Sequence, residues 1–194
     1  MRTAVEVKQQ YFSKNRQEWE SFFSGKKQQI EENIDVYLAI KEYCVYKKNS
    51  KFPPGWLFFA FYGMGGRLSA TKKARFLSHF NEMHEANIAI VRNIVNEING
   101  DNESCSYFSF VTKMLNMQDE NFFPIYDSRV ARAFCDKSEL RSLDGEELCY
   151  TRIKELYDSI PLGDSSIVAF KEIFPKAANL GKMRILDFIL YNSI

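Results

Sequence analysis

The sequence is poor in the residues that build metal and nucleophile sites. Only two histidines, His79 and His84, and four cysteines, Cys44, Cys105, Cys135 and Cys149, occur in 194 residues, and no two cysteines have Cys-x-x-Cys spacing. That scarcity argues against a zinc site or an iron-sulfur cluster, so no metal and no cofactor is expected. A Ser-His-Asp triad would have to recruit one of the two histidines from an ordinary helical stretch; core packing or solvent exposure is the plainer expectation for both. No Gly-x-Ser-x-Gly elbow and no His-Glu-x-x-His pair is present, and Gly63-Met64-Gly65-Gly66 lacks the Lys-Ser/Thr ending of a phosphate-cradling loop. Those glycines read as a helix terminator.

Charge of one sign is also lacking. Lys plus Arg number 26 and Asp plus Glu 25, leaving +1, so whole-molecule charge points to no nucleic-acid or membrane-surface partner and only a local patch would serve one. No run approaches the length of an uncharged membrane span, and Met1 to Gln10 carries Arg2, Glu6 and Lys8 where a signal peptide needs an apolar stretch. A soluble, cytoplasmic protein with reduced thiols is expected.

Aromatic residues are plentiful: 17 Phe, 10 Tyr and 2 Trp in a chain that is 45% hydrophobic and 26% charged. This composition suits one globular domain, with a helical N-terminal part over 1–100 and a second part over 101–194. Helical spacing dominates. Ile30, Ile34, Tyr37, Leu38 and Val45 form a stripe broken only by Lys41, and Thr3 to Phe23 reads as one helix stopped by Gly25. Pro53, Pro54 and Gly55 precede an aromatic run from Trp56 to Tyr62, read as a short buried helix or turn. Thr71 to Asn99 keeps the period through two helices meeting near His84, and Gly100, Asp101 and Asn102 form a loop. Further helices fit Tyr107 to Met117, Ser128 to Phe134 with Asp127 as cap, Glu146 to Tyr157, Ser166 to Phe174 and Lys182 to Tyr191. No alternating strand pair and no internal repeat stands out, so an all-α fold of about eight to ten helices is expected.

Two segments stand out in order: Ser109-Phe110-Val111-Thr112-Lys113, then Pro124-Ile125-Tyr126-Asp127-Ser128-Arg129-Val130. The second resembles the Pro-Val-Asp-Thr-His-Val element of the helix-hairpin-helix DNA glycosylases, and the first stands where their Gly-Val-Gly-Thr-Lys hairpin lies. The similar branch is that of the 8-oxoguanine glycosylases, whose archaeal members carry a Leu-Asp-Leu-x-x-Trp helix similar to Leu186-Asp187-Phe188-Ile189-Leu190-Tyr191. The resemblance spans roughly Ser106 to Ile194. It implies an all-α glycosylase fold, DNA with a modified base as partner, Asp127 beside the target sugar and Lys113 as the Schiff-base amine. It further implies Asp187, Phe188 and Tyr191 beside the base, and Ser109 with the hairpin on a DNA phosphate. Ser109 and Val111 replace both hairpin glycines, which in the family turn the backbone tightly and free N–H groups for that phosphate.

These residue types suit the chemistry. A carboxylate near C1′ steadies an oxocarbenium-like sugar and takes a proton from an attacking amine or water, and a lysine buried nearby has a depressed pKa and attacks as a neutral amine. Each residue also has a plainer reading: Asp127 as a helix cap, Lys113 as a solvated helix residue, Phe188 and Tyr191 as core. Arg129 and Arg132, three apart on one helix, either contact phosphates or pair with Asp136 and Glu139. The alternative function is a non-catalytic nucleic-acid or protein interaction module on the same helical fold.

Overall fold

A computed structural model describes residues 1–43, 58–59, 62, 68–80, 82, 85–99 and 107–194, and all regular structure among them is helical. The elements are α1 (Ala4–Tyr11), α2 (Arg16–Ser24), α3 (Lys27–Lys41), α4 (Ala70–Phe80), α5 (Ala89–Asn99), α6 (Phe108–Gln118) and α7 (Ser128–Ala131). After a 3-10 turn (Glu139–Arg141) follow α8 (Leu143–Ser159), α9 (Ser165–Ile173), a second 3-10 turn (Pro175–Asn179) and α10 (Lys182–Ser193). No helix among the described residues is long and apolar enough to cross a membrane. Cys44, Cys105, His84, the segment from Pro53 to Gly55, the glycines of 63–66 and the loop of Gly100, Asp101 and Asn102 lie outside the described residues. Of the aromatic run, Phe58, Phe59 and Tyr62 are described, and both phenylalanines are buried.

The span from Thr3 to Phe23 is two helices, not one. The first ends at Tyr11 with Phe12 as its C-cap, and Asn15 starts the second: its side chain accepts from the Glu18 N–H at 3.0 Å, and Glu18 Oε2 accepts from the Asn15 N–H at 2.7 Å. Thr3 and Glu6 make the same reciprocal pair at the start of α1. Each arrangement satisfies two donors that a bare helix end leaves unmatched, and a free Asn-x-x-Glu in mid-span therefore favours a new start over continuation. The helix anticipated over Ser128 to Phe134 is likewise shorter as α-helix, ending at Ala131 and continuing as tight turns to Phe134.

Three aromatic groups hold the layers. Trp19 stacks on Phe23 at 5.2 Å, and Phe23 meets Phe170 and Phe174 edge-on at 5.3 and 5.8 Å, which locks α2 against α9. Phe76 lies 4.5 Å from Phe110, with Phe58 4.9 Å from Phe110, joining α4 and α6. Phe108 sits edge-on to Tyr126 at 5.2 Å and to Tyr150 at 5.5 Å, so the segment before α7 is pinned between α6 and α8. Ring pairs of this kind add about 0.5–1.5 kcal/mol each beyond burial.

Buried polar groups on α6 fix the connection to α7. Thr112 Oγ1 accepts from the Tyr126 N–H at 3.1 Å, and Asn116 Nδ2 donates to the Phe123 carbonyl at 2.6 Å. Tyr37 on α3 donates its hydroxyl toward Asn116 Oδ1 and Glu120 Oε2, each at 3.0 Å, and Lys41 pairs with the same Glu120. Gly181 completes this corner by close approach: a Cβ there would stand 2.6 Å from the Glu120 carbonyl oxygen, the group that accepts from the Met183 N–H at 3.0 Å as α10 begins.

Candidate functional site

A cleft of about 360 Å³ opens between α3, α6, the start of α7 and α10. Lys113 of α6 and Asp127 face each other in it, with Nζ 3.5 Å from Oδ2. Asp127 both caps a helix and lines the cleft, because its two oxygens divide these contacts. Oδ1 accepts from the Arg129 N–H at 2.8 Å and starts α7, while Oδ2 turns to Lys113.

Lys113 is not a solvated helix residue, since its side chain is only 17% exposed. Its ammonium donates to Ser109 Oγ at 2.7 Å, one turn earlier, and stands 5.4 Å from the Tyr62 ring centre. Burial lowers its pKa from the ordinary 10.5, and the carboxylates of Asp127 and Asp187 offset part of that fall. A partly desolvated amine held beside a carboxylate is suited to give up a proton and act as a nucleophile. Ser109, expected on a phosphate, here accepts a hydrogen bond from Lys113 at its hydroxyl.

The third wall is one stripe of α10. Arg184, Asp187, Phe188 and Tyr191 recur at i, i+3, i+4 and i+7, the spacing of a single helix face, and all four line the cleft. On the other faces Ile185, Leu186, Ile189 and Leu190 are buried in the core. Asp187 is 4% exposed and paired through Oδ2 with the Arg184 guanidinium. Burial pushes its carboxyl up to about 6, against the pull of Arg184 and with help from Asp127. Phe188 is part of the core, stacked on Phe170 at 6.1 Å, and also lines the cleft. Tyr191, 37% exposed, stands at the rim with the Arg129 guanidinium 4.7 Å above its ring.

Of the residues singled out by sequence, Lys113, Asp127, Asp187, Phe188 and Tyr191 converge on one cleft, with Ser109 bonded to Lys113 and Arg129 at the rim. Arg132 is exposed. The pairing of the two arginines with Asp136 and Glu139 does not form: Arg129 donates to the Ile194 carbonyl at 3.0 Å, and Glu139 accepts from the Asp136 N–H at 2.8 Å. Gln29 and Asn33 of α3, Tyr62 and Arg184 were missed by sequence reasoning. Arg184 had a legible signal, as a cation three residues before Asp187 on the same stripe; the α3 pair, one turn apart beside the Ile30 stripe, had a weaker one.

Among the described residues no group of acidic, histidine and cysteine side chains is arranged to hold a metal. The described cysteines, Cys135 and Cys149, are free and buried. His79 is held by Glu97 at 2.7 Å and Glu82 at 3.4 Å, a local ion-pairing role. Compared with protein-family models, curated proteins and solved structures, the chain matches none.

Proposed function

We propose that the cleft is the active site of a DNA N-glycosylase on a helix-hairpin-helix type of fold, acting on a modified base of the oxidised-purine class such as 8-oxoguanine. The observation that carries this reading is the pairing of Lys113 Nζ with Asp127 Oδ2 at 3.5 Å in a cleft whose remaining wall holds Asp187, Phe188 and Tyr191. Cleaving an N-glycosidic bond develops positive charge on the sugar, and a fixed carboxylate beside C1′ lowers the energy of that state. A base must also leave the stack and be held against apolar and aromatic surface, which Phe188 and Tyr191 supply.

In the proposed sequence Lys113, as the free amine, forms a bond from Nζ to C1′. The C1′–N bond to the base breaks, its electron pair leaves with the base, and the base takes up a proton. Asp127 Oδ2 accepts the proton that Nζ loses. As the nitrogen lone pair forms a C=N bond, the C1′–O4′ bond opens with its electron pair going to O4′, which takes the proton held by Asp127; the resulting protonated imine between Lys113 and the sugar either loses a C2′ proton and the 3′ phosphate, nicking the strand, or is hydrolysed by water to an abasic site that frees Lys113.

The basic residues near the cleft give DNA a local foothold that the total charge of +1 conceals. Arg129 stands at the rim against Tyr191, Arg132 is exposed three residues further on, and Lys26 reaches the Asn192 carbonyl on α10. Incubating the protein with duplex and single-stranded oligonucleotides carrying a panel of oxidised, deaminated and alkylated bases tests this reading. Release of at least one oxidised purine is expected; release of no base from any of them would overturn it.

A further inference from the structure

Lys14, Lys26 and Arg129 gather beside the mouth of the cleft, around the last turn of α10. Lys26 donates to the Asn192 carbonyl, and Arg129 donates to the Ile194 carbonyl at 3.0 Å while its guanidinium covers the Tyr191 ring. Lys14, from the link between α1 and α2, joins them through Phe22: its ammonium stands 5.4 Å from that ring centre, and the ammonium of Lys26 stands 4.6 Å from the same centre. Burial lowers the Lys26 pKa, and the charges of Arg129 and Lys14 push it the same way, as cations held close together do. Tyr191 and Asn192 line the cleft itself, so the cluster begins at its mouth.

Among the described residues no Asp or Glu side chain pairs with any of the three, although their chain neighbours are paired: Arg16 binds Glu20 and Glu172, and Lys27 lies 3.8 Å from Glu31. Gathering like charges is unfavourable unless negative charge offsets it. The carbonyl end of α10 is one such offset, and it accounts for Lys26 and Arg129. It does not account for Lys14, whose ammonium lies over the Trp19 and Phe22 rings, 4.7 and 5.4 Å from their centres. We propose that Lys14, Lys26 and Arg129 form a phosphate-binding strip that carries the backbone of the DNA strand from the cleft mouth across the end of α10 to the link between α1 and α2. The inference rests on the proposal that the cleft takes a base from DNA, and it extends the binding surface beyond the cleft. Successive phosphates supply the repeated negative charges that separate cations neutralise, each contact releasing counterions. Trp19 is buried and Phe22 packs edge-on against it at 5.7 Å, so the rings beneath the strip are committed to the core and not free to enter a bilayer.

Fluorescence anisotropy with an undamaged oligonucleotide, single-stranded and in duplex, over about 50 to 200 mM salt tests the strip without any bond cleavage. Methionine in place of lysine keeps an unbranched stem over the rings and removes the charge. For the form bound more tightly, Lys14→Met is expected to weaken binding about threefold at about 100 mM salt and to lower the salt dependence by about one phosphate contact; Lys14→Met combined with Lys26→Met is expected to weaken it about tenfold and lower the dependence by about two. A control pair, Arg152→Met with Lys176→Met, removes two cations already paired with Glu155 and Asp35 and so reduces the net charge equally; its affinity is expected to stay within about twofold of wild type. A wild-type salt dependence in Lys14→Met, equal weakening by the control pair, or no binding of either oligonucleotide by the wild type at the lowest salt would overturn the inference. Binding to phosphatidylserine vesicles that depends on the strip, in place of binding to DNA, would overturn it too. Base release with an affinity indifferent to Lys14 would sink this inference alone, and strip-dependent DNA binding with no base released would sink the glycosylase proposal alone.

Discussion

Lys113 and Asp127 are 14 residues apart and stand on different helices, yet Nζ and Oδ2 lie 3.5 Å from each other. The neighbours of Lys113 on α6 make this so. Thr112 holds the backbone of Tyr126, immediately before Asp127, and Asn116 holds Phe123. The chain between the two residues thus returns along the helix it has just left, and buried hydrogen bonds fix how far it travels.

Asp127→Asn separates the two tasks of that side chain. Asparagine caps helices as well as aspartate does, so α7 and overall stability are expected to change by only a few tenths of a kcal/mol. Loss of the charge beside the sugar is expected to slow base release by about a hundredfold or more. Single-turnover excision and urea unfolding on the same preparation measure both; a variant that unfolds easily but excises normally would assign Asp127 to structure alone.

Sequence periodicity sufficed wherever one stripe dominated. The Ile30, Ile34 and Tyr37 stripe defines α3, and the helices of Thr71 to Asn99 part near the expected place. The division of 3–23 at Asn15 was missed because the apolar spacing carries through while a reciprocal cap with Glu18 decides the local structure. The site was half legible. Residue types and order singled out Lys113, Asp127 and the α10 stripe, but Arg184 acquires meaning only when Tyr37 of α3 and Phe188 are found on either side of it. The contact of Glu120 with Lys41 and Tyr37 leaves no local signal in the sequence, since it depends on how α3 crosses the end of α6.

Gly181→Ala tests how that crossing supports the cleft. The added Cβ would lie 2.6 Å from the Glu120 carbonyl oxygen, backbone that cannot rotate away. Displacing it disturbs the first turn of α10 and the Glu120 contacts with Tyr37 and Lys41. A stability loss of about 1–3 kcal/mol is expected by chemical denaturation; an unchanged unfolding midpoint would contradict the close approach.

Arg129 and Arg132 give a salt-dependent prediction. If they contact phosphates, DNA affinity falls steeply with salt despite the near-neutral total charge, and replacing both by glutamate flattens that dependence by about two phosphate contacts. Fluorescence anisotropy over a range of salt concentrations measures it. An unchanged slope in the doubly substituted protein would place the DNA elsewhere.

Asp187 titrates at about 6 against an ordinary 3.8, because burial opposes its charge. Folding therefore favours the protonated carboxyl, and the group's contribution to stability is full below pH 3.8 and is lost as pH rises through 6. The partners around it are Arg184 on its own helix, Lys113 on α6, Asp127 at the start of α7 and the Tyr157 phenol on α8. Arg184→Met removes the strongest pull toward the ionised form, so the midpoint is expected to move above 6. Carboxyl carbon NMR across this pH range checks it; a midpoint in the normal aspartate range for both proteins would contradict the burial of this pair.

Borohydride trapping on Lys113 tests the glycosylase mechanism most directly. With an oxidised-purine duplex, the wild-type protein is expected to release the base and, on reduction, to yield a stable protein-DNA adduct at Lys113. Lys113→Gln is expected to bind DNA with nearly the wild-type affinity and to give no adduct. Base release by the wild type without any adduct, or trapping by the Gln variant as efficient as by the wild type, would contradict the assignment of Lys113 as the attacking amine.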